Sequence, residues 1–122
     1  MPVVTLAGGA LCCAVAVAAG AFGAHALAER LDVRSLALWE TAARYLMYGG
    51  LGALLVGIAA VQWPRAGFAY AGPCLLAGAA VFSGTVGAIA LGGPRWLGAI
   101  TPLGGLLMIA GFLGAAWAAL RL

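Results

Sequence analysis

Glu40 and Arg44 stand four residues apart in this 122-residue chain, so on a helix an acid and a base would face each other across one turn. Around them, from Gly20 to Tyr48, lie all three carboxylates (Glu29, Asp32, Glu40), the single histidine (His25) and three of the six arginines (Arg30, Arg34, Arg44). The rest of the chain is almost uncharged. Whatever chemistry or recognition the protein has starts in this stretch.

An i,i+4 Glu–Arg pair neutralises itself, and near a membrane boundary an unpaired charge is costly. The simplest reading is an internal salt bridge that fixes a helical loop against the body of the protein. On that reading Glu40→Gln and Arg44→Ala each destabilise the fold, because either leaves its partner unpaired at low dielectric. A sharper reading has Arg44, with Arg95 or Arg34, holding an anionic lipid headgroup or a substrate carboxylate. A third couples protons through Glu40. Tyr48 continues the same helical face. His25, with no partner at ligand spacing, reads as an interfacial side chain bonding a carbonyl or Glu40, ahead of a metal, haem or proton-transfer role.

Ser83, Thr85 and Thr101 are polar residues placed at depth, where hydroxyls bond back to their own helix or across to a neighbour. No Ser–His–acid order, paired carboxylates or glycine-rich phosphate loop is present, so nucleophilic and acid–base catalysis lack their parts. No catalytic residue, metal or cofactor is expected. The candidate polar cluster, structural or ligand-binding, is His25, Glu40, Arg44, Tyr48, Ser83, Arg95 and Thr101.

The elements that must position these residues follow from composition. Hydrophobic residues make up 66% and charged residues 7%, against roughly a quarter charged in a soluble domain. So much apolar surface requires the bilayer as solvent. Six arginines and no lysine give a net charge of +3 spread over loops and a terminus, a membrane-flank pattern with no basic face for nucleic acid. Cys12, Cys13 and Cys74 all sit in apolar runs, which reads as small packing residues and not a disulfide framework.

Four uncharged stretches are long enough to span. Val3 to Ala24 alone is 22 residues, about 33 Å as a helix. It carries no positive front end and exceeds the apolar run of a cleaved leader, so it is expected to be retained. The spans are placed at about 3–27, 45–63, 68–91 and 98–120, in a single domain covering 1–122. The short links Pro64-Arg65 and Gly92-Gly93-Pro94-Arg95 suit tight turns at headgroup level, with Trp63, Trp96 and Trp117 near span ends. Thr101-Pro102 reads as an N-cap and first helical position, and Pro73 as the true start of the third span or a kink in it.

Between spans one and two, residues 28–44 read as an amphipathic helix lying at the interface, capped by Asp32 and turning into the second span. Small residues recur every fourth position: Gly8, Cys12, Ala16, Gly20, Ala24; Gly49, Ala53, Gly57; Ala80, Gly84, Ala88, Gly92; Gly111, Ala115, Ala119. Such stripes let helix backbones approach in lipid. The fold class is therefore an all-α integral membrane protein, a compact four-helix bundle with an amphipathic helical loop. Arginines count four on the loop side (Arg30, Arg34, Arg44, Arg95) against two (Arg65, Arg121), which puts the loop in the cytoplasm and both termini outside.

Several stretches carry a resemblance: Gly20–Leu27 (Gly-Ala-Phe-Gly-Ala-His-Ala-Leu), Trp39-Glu40-Thr41-Ala42, Tyr45-Leu46-Met47-Tyr48, Phe82-Ser83-Gly84 and Arg95–Gly105. Together they are similar to the small bacterial inner-membrane family called domain of unknown function 423, the YgdD-like proteins with eukaryotic relatives named transmembrane protein 256. The resemblance implies a four-span helical protein of the bacterial inner membrane and no established activity. Where the family often has Tyr-His, this chain has Tyr48-Gly49, so no role can rest on a second histidine.

The functional expectation is a small non-enzymatic multi-pass protein that binds membrane lipid, or packs as an accessory subunit of a larger complex or a homo-oligomer. The competing class is a small transporter or proton-coupled carrier using Glu40 and Arg44. Small multidrug-resistance exporters carry a carboxylate in the first span, and Val3–Ala24 has none. An enzyme acting on lipid or quinone would need His25 or Glu40 in a real cavity.

Overall fold

The computed structural model describes residues 2–122. Its described residues form four long helices: α1 (Pro2–His25), α2 (Val33–Gln62), α3 (Ala66–Ala90) and α4 (Thr101–Leu120). All four, the last taken with the turn from Arg95 that precedes it, are long and apolar enough to cross a membrane. Short 3-10 turns at Leu27–Glu29 and Arg95–Ala99 complete the described elements.

Each boundary has a local cause. Asp32, in an extended conformation, accepts a hydrogen bond from the Ser35 amide at 2.7 Å and caps α2. That amide bond holds the Asp32 carboxyl below its ordinary range. Pro64 follows the end of α2 at Trp63, whose amide still bonds the Ala59 carbonyl. At the end of α3, Gly92 adopts φ +98°, and the amides of Gly92 and Gly93 bond the carbonyls of Ile89 and Ala88 at 3.0 and 2.7 Å. This double closure needs a left-handed residue after the cap, which glycine supplies without strain.

The structure refines the sequence reading at three places. In the segment 28–44 the long helix begins at Val33 and is continuous with the second span: α2 runs unbroken for 30 residues, about 45 Å, longer than a hydrocarbon core of about 30 Å. No proline stands between Asp32 and Trp63 to interrupt it. Of the two readings of Pro73, the true start of the span falls: α3 begins at Ala66 and Pro73 lies inside it, on an exposed face. Thr101 is not an N-cap: helical geometry begins at Thr101 itself, and its hydroxyl serves a neighbour instead of the helix start.

The helices pack in chain order. α1 lies against α2, α2 against α3 and α3 against α4, while α1 meets α3, and α4 meets α2, only marginally. Leu75, fully buried, sits at the centre with Ala53, Val56, Ala71, Ala79 and Met108. Glycine brings the backbones together at each interface. A β-carbon on Gly9 would lie 2.8 Å from the Gly50 carbonyl oxygen, and one on Gly78 would lie 2.6 Å from that of Gly104. On the α2–α3 interface, one on Gly49 would collide with the Ala79 methyl. Close approach of this kind is what holds spans together where lipid is as apolar as leucine.

The stripe Gly49, Ala53, Gly57 is buried throughout. The stripe expected on α3 is not the packing face. Ala80 and Gly84 are exposed, and the buried side runs through Ala71, Leu75, Gly78, Ala79, Ser83, Val86 and Ala90. On α4 the buried line is Gly104, Met108, Gly111 and Ala118, so Ala119 faces outward. On α1, Thr5, Gly9, Ala16 and Gly23 are buried, with Gly8, Cys12 and Gly20 at the margin and Ala24 exposed.

Candidate functional site

Chain-order packing leaves clefts on both sides of the central α2–α3 pair. Glu40, Arg44 and Tyr48, at successive turns of α2, line an open cleft of about 390 Å³ over Ala16 and Gly20 of α1. If the hydrocarbon layer ends level with Gln62 on α2, its other boundary falls some twenty residues back, beside Arg44. Glu40 then lies one turn, about 6 Å, farther toward water.

Both charged side chains are exposed. Among the described residues no carboxylate oxygen comes within 4.0 Å of a guanidinium nitrogen, so the expected internal salt bridge is not formed. The cleft is open and wide enough for each side chain to extend separately. The destabilisation expected from Glu40→Gln and Arg44→Ala therefore loses its basis. The two variants should each shift unfolding by less than about 0.5 kcal/mol, as read by a thermal-shift assay in detergent.

The other cluster members do not converge on this cleft. His25 ends α1, exposed, with no hydrogen bond to Glu40 or to a carbonyl among the described residues. Arg95 begins the 3-10 turn before α4, exposed and outside the cleft, as is Arg34. Thr101 joins a different group: its hydroxyl lies 2.6 Å from that of Thr85 and donates to the Leu97 carbonyl, stitching the start of α4 to α3. Among the described residues, no three His, Cys, Asp or Glu side chains gather as metal ligands would.

A second cleft, of about 480 Å³, opens between α2 and α4 below Tyr45 and Tyr48, over Gly52, Gly105 and Met108. The Tyr45 ring lies 4.6 Å from that of Phe82 and 5.2 Å from that of Tyr48, centroid to centroid. Tyr48 is thus shared between this cleft and the one holding Arg44.

A third cleft, of about 450 Å³, lies between α1 and α3 over α2. Ser83 is buried beside it, and its hydroxyl oxygen, closed off from the surface, has no hydrogen-bond partner among the described residues. Trp39 closes one end: its indole N–H donates to the Ala19 carbonyl at 2.8 Å, and Gly23 gives the ring room to lie on α1. Reasoning from sequence missed this role: Trp39 entered there only through the Trp39-Glu40-Thr41-Ala42 stretch that carries the resemblance. It also passed over Thr5, which is buried against Gly72. The signal in both cases was a glycine facing a larger side chain on another helix, which a single sequence does not pair.

A family model described as "Protein of unknown function (DUF423)" matches residues 19–105. A UPF0382 membrane protein of Staphylococcus haemolyticus is 44% identical over 111 residues, covering 86% of this chain and 85% of the relative. Its counterpart in Staphylococcus saprophyticus is 43% identical, with 86% and 87% covered, and one in Staphylococcus aureus is 39% identical, with 86% and 85% covered. No solved structure matches the chain. The matched region takes in the Glu40–Arg44 cleft, Trp39 with its glycine partner, and the α3–α4 crossing; with four membrane-spanning helices, the chain is a multi-pass membrane protein that belongs to the DUF423 family.

Proposed function

We propose that the protein is a non-enzymatic lipid-binding membrane protein in which Arg44 takes the phosphate of a phospholipid. One observation carries this reading: Arg44 is exposed over a cleft floored by Ala16, Gly20 and Ala43 and has no carboxylate partner among the described residues; a hydrocarbon layer that ends level with Gln62 would put it at the opposite boundary. A guanidinium at that depth gains most from a phosphate, which it can bind with two parallel hydrogen bonds. Glu40, one turn farther out, suits a headgroup ammonium or hydroxyl, which a bare inorganic anion would not offer. An acyl chain then lies along the small residues below.

Native mass spectrometry after gentle extraction from the membrane tests this. A retained phospholipid is expected on the parent, with retention lowered about tenfold in Arg44→Ala, the scale of one charge-assisted hydrogen-bonded contact. Retention unchanged in the variant overturns the role of Arg44. A bare chain with no lipid overturns lipid binding altogether, and a second protein in the complex in its place supports an accessory subunit.

A further inference from the structure

The two charges of the Arg44 cleft also specify a headgroup: we infer that the site selects a zwitterionic phospholipid with a primary ammonium, of the phosphatidylethanolamine class. The inference rests on the phospholipid reading of the same cleft and adds the chemistry of its outer end. Glu40 and Arg44 both line the cleft, both are exposed, and among the described residues neither is closed in a salt bridge. They are the charged side chains in its wall, so its own charge sums to zero. Glu29, Arg30, Asp32 and Arg34 stand at the same end of the bundle but outside the cleft, and Asp32 is already committed to the Ser35 amide.

The order of the two charges matters as much as their sum. From Tyr45 to Gln62 α2 holds no charge, so Arg44 is the last charged residue before that stretch. Glu40 lies one turn, about 6 Å, farther out. This order follows from the sequence of α2 alone, wherever the hydrocarbon layer ends. A phospholipid anchored by its acyl chains presents its phosphate first and the tip of its headgroup beyond. With the phosphate on the Arg44 guanidinium, the tip falls against the Glu40 carboxylate.

Headgroups meet that carboxylate differently. A bare phosphate or a phosphoglycerol brings a net negative charge to a neutral cleft and leaves Glu40 without a counter-ion. A phosphoserine sets a second carboxylate beside Glu40, and like charges repel. Choline supplies a cation without an N–H, which proteins hold against aromatic faces; Tyr48, the aromatic residue in this wall, stands two turns inward of Glu40. An ethanolamine ammonium offers N–H donors to the carboxylate, as a lysine ammonium does. Its two charges then match those of the cleft one for one. Gly20 on the facing helix keeps room for the headgroup, since a β-carbon there would meet nothing within 4 Å.

The test presents the full chain in detergent with an equimolar mixture of dioleoyl phosphatidylethanolamine, phosphatidylcholine and phosphatidylglycerol, so that the headgroup alone differs. Native mass spectrometry identifies the retained lipid by its mass. Phosphatidylethanolamine is expected to exceed each of the others about tenfold, the scale of one charge-assisted contact. Glu40→Gln should erase that preference while phosphatidylglycerol stays bound, and Glu40→Lys should turn it toward phosphatidylglycerol. Gly20→Leu, whose side chain has open space to enter, should release all three with the thermal midpoint unchanged. Equal retention of the three headgroups by the parent, or a preference that survives Glu40→Gln, overturns the inference; where retention still falls in Arg44→Ala, the phospholipid reading stands without it. A rise in retention of every headgroup in Glu40→Gln also overturns it, because Glu40 would then be masking Arg44. Retention of none of the three sinks the phospholipid reading and this inference with it.

Discussion

Gly104→Leu is expected to prevent α4 from docking on α3, and Gly104→Ala to cost about 1–3 kcal/mol, the range for overpacking a tight core. A β-carbon at this position would lie 2.5 Å from the Phe82 amide nitrogen, 2.7 Å from the Gly78 carbonyl oxygen and 3.0 Å from the Phe82 α-carbon. All three are backbone atoms, so no rotamer change relieves the clash; the helices must move apart. Separation would break the Thr85–Thr101 contact and lift Met108 from the central cluster around Leu75. Gly84→Ala and Gly20→Ala are the controls, because a β-carbon at either meets nothing within 4 Å. Both should stay within about 0.5 kcal/mol of the parent in detergent unfolding, apart from a small gain in helix propensity. If Gly104→Ala unfolds with the controls, the backbone contact between α3 and α4 contributes nothing to stability.

Trp39→Ala is expected to destabilise by about 3 kcal/mol, the low end for deleting a large aromatic, since the ring is half-buried. Trp39 spans three helices: it grows from α2, its N–H is bonded to the α1 carbonyl of Ala19, and its far edge passes over Gly87 of α3. Trp39→Phe separates the contributions, keeping most of the ring and losing the hydrogen bond, for about 1 kcal/mol. Gly23→Ala attacks the same contact from the other side, because its β-carbon would stand 2.6 Å from the indole Cδ1. Coupling between Gly23→Ala and Trp39→Ala, measured as a double-mutant cycle in reversible detergent unfolding, should be large: once the ring is gone the added methyl has nothing to strike. Strictly additive effects would mean that the ring does not hold α1 in place.

The number of helices, their approximate limits and the cap at Asp32 were legible in the sequence because they depend on local chemistry: apolar length, proline and glycine in the links, a carboxylate before Val33. The rotational setting of the helices was legible only in part. A soluble helix shows its inner face by hydrophobicity, but in lipid both faces are apolar. On α3 small residues stand at so many positions that the Ala80–Gly84–Ala88–Gly92 line looked like the packing face, whereas the bundle uses the one through Ala71, Gly78 and Ala79. The fourfold spacing of Glu40 and Arg44 was read as a closed pair, yet spacing only permits contact; the side chains open onto a cleft instead. Ser83 was named from its residue type, but that its hydroxyl would lack a partner depends on which helices surround it.

The order of packing has a consequence for how this protein is made. Every main interface joins a helix to the one synthesised just before it, and no principal contact waits for α4 to return to α1. Each span entering the bilayer thus meets a surface already in place: Gly50 of α2 finds Gly9, Gly49 and Ala79 bring α3 against α2, and Gly104 closes on Gly78. Contacts between chain neighbours form quickly because little loop entropy is lost in making them. Assembly can keep pace with the ribosome, span by span, and a chain stopped after Gln62 would already carry the α1–α2 half in its final arrangement.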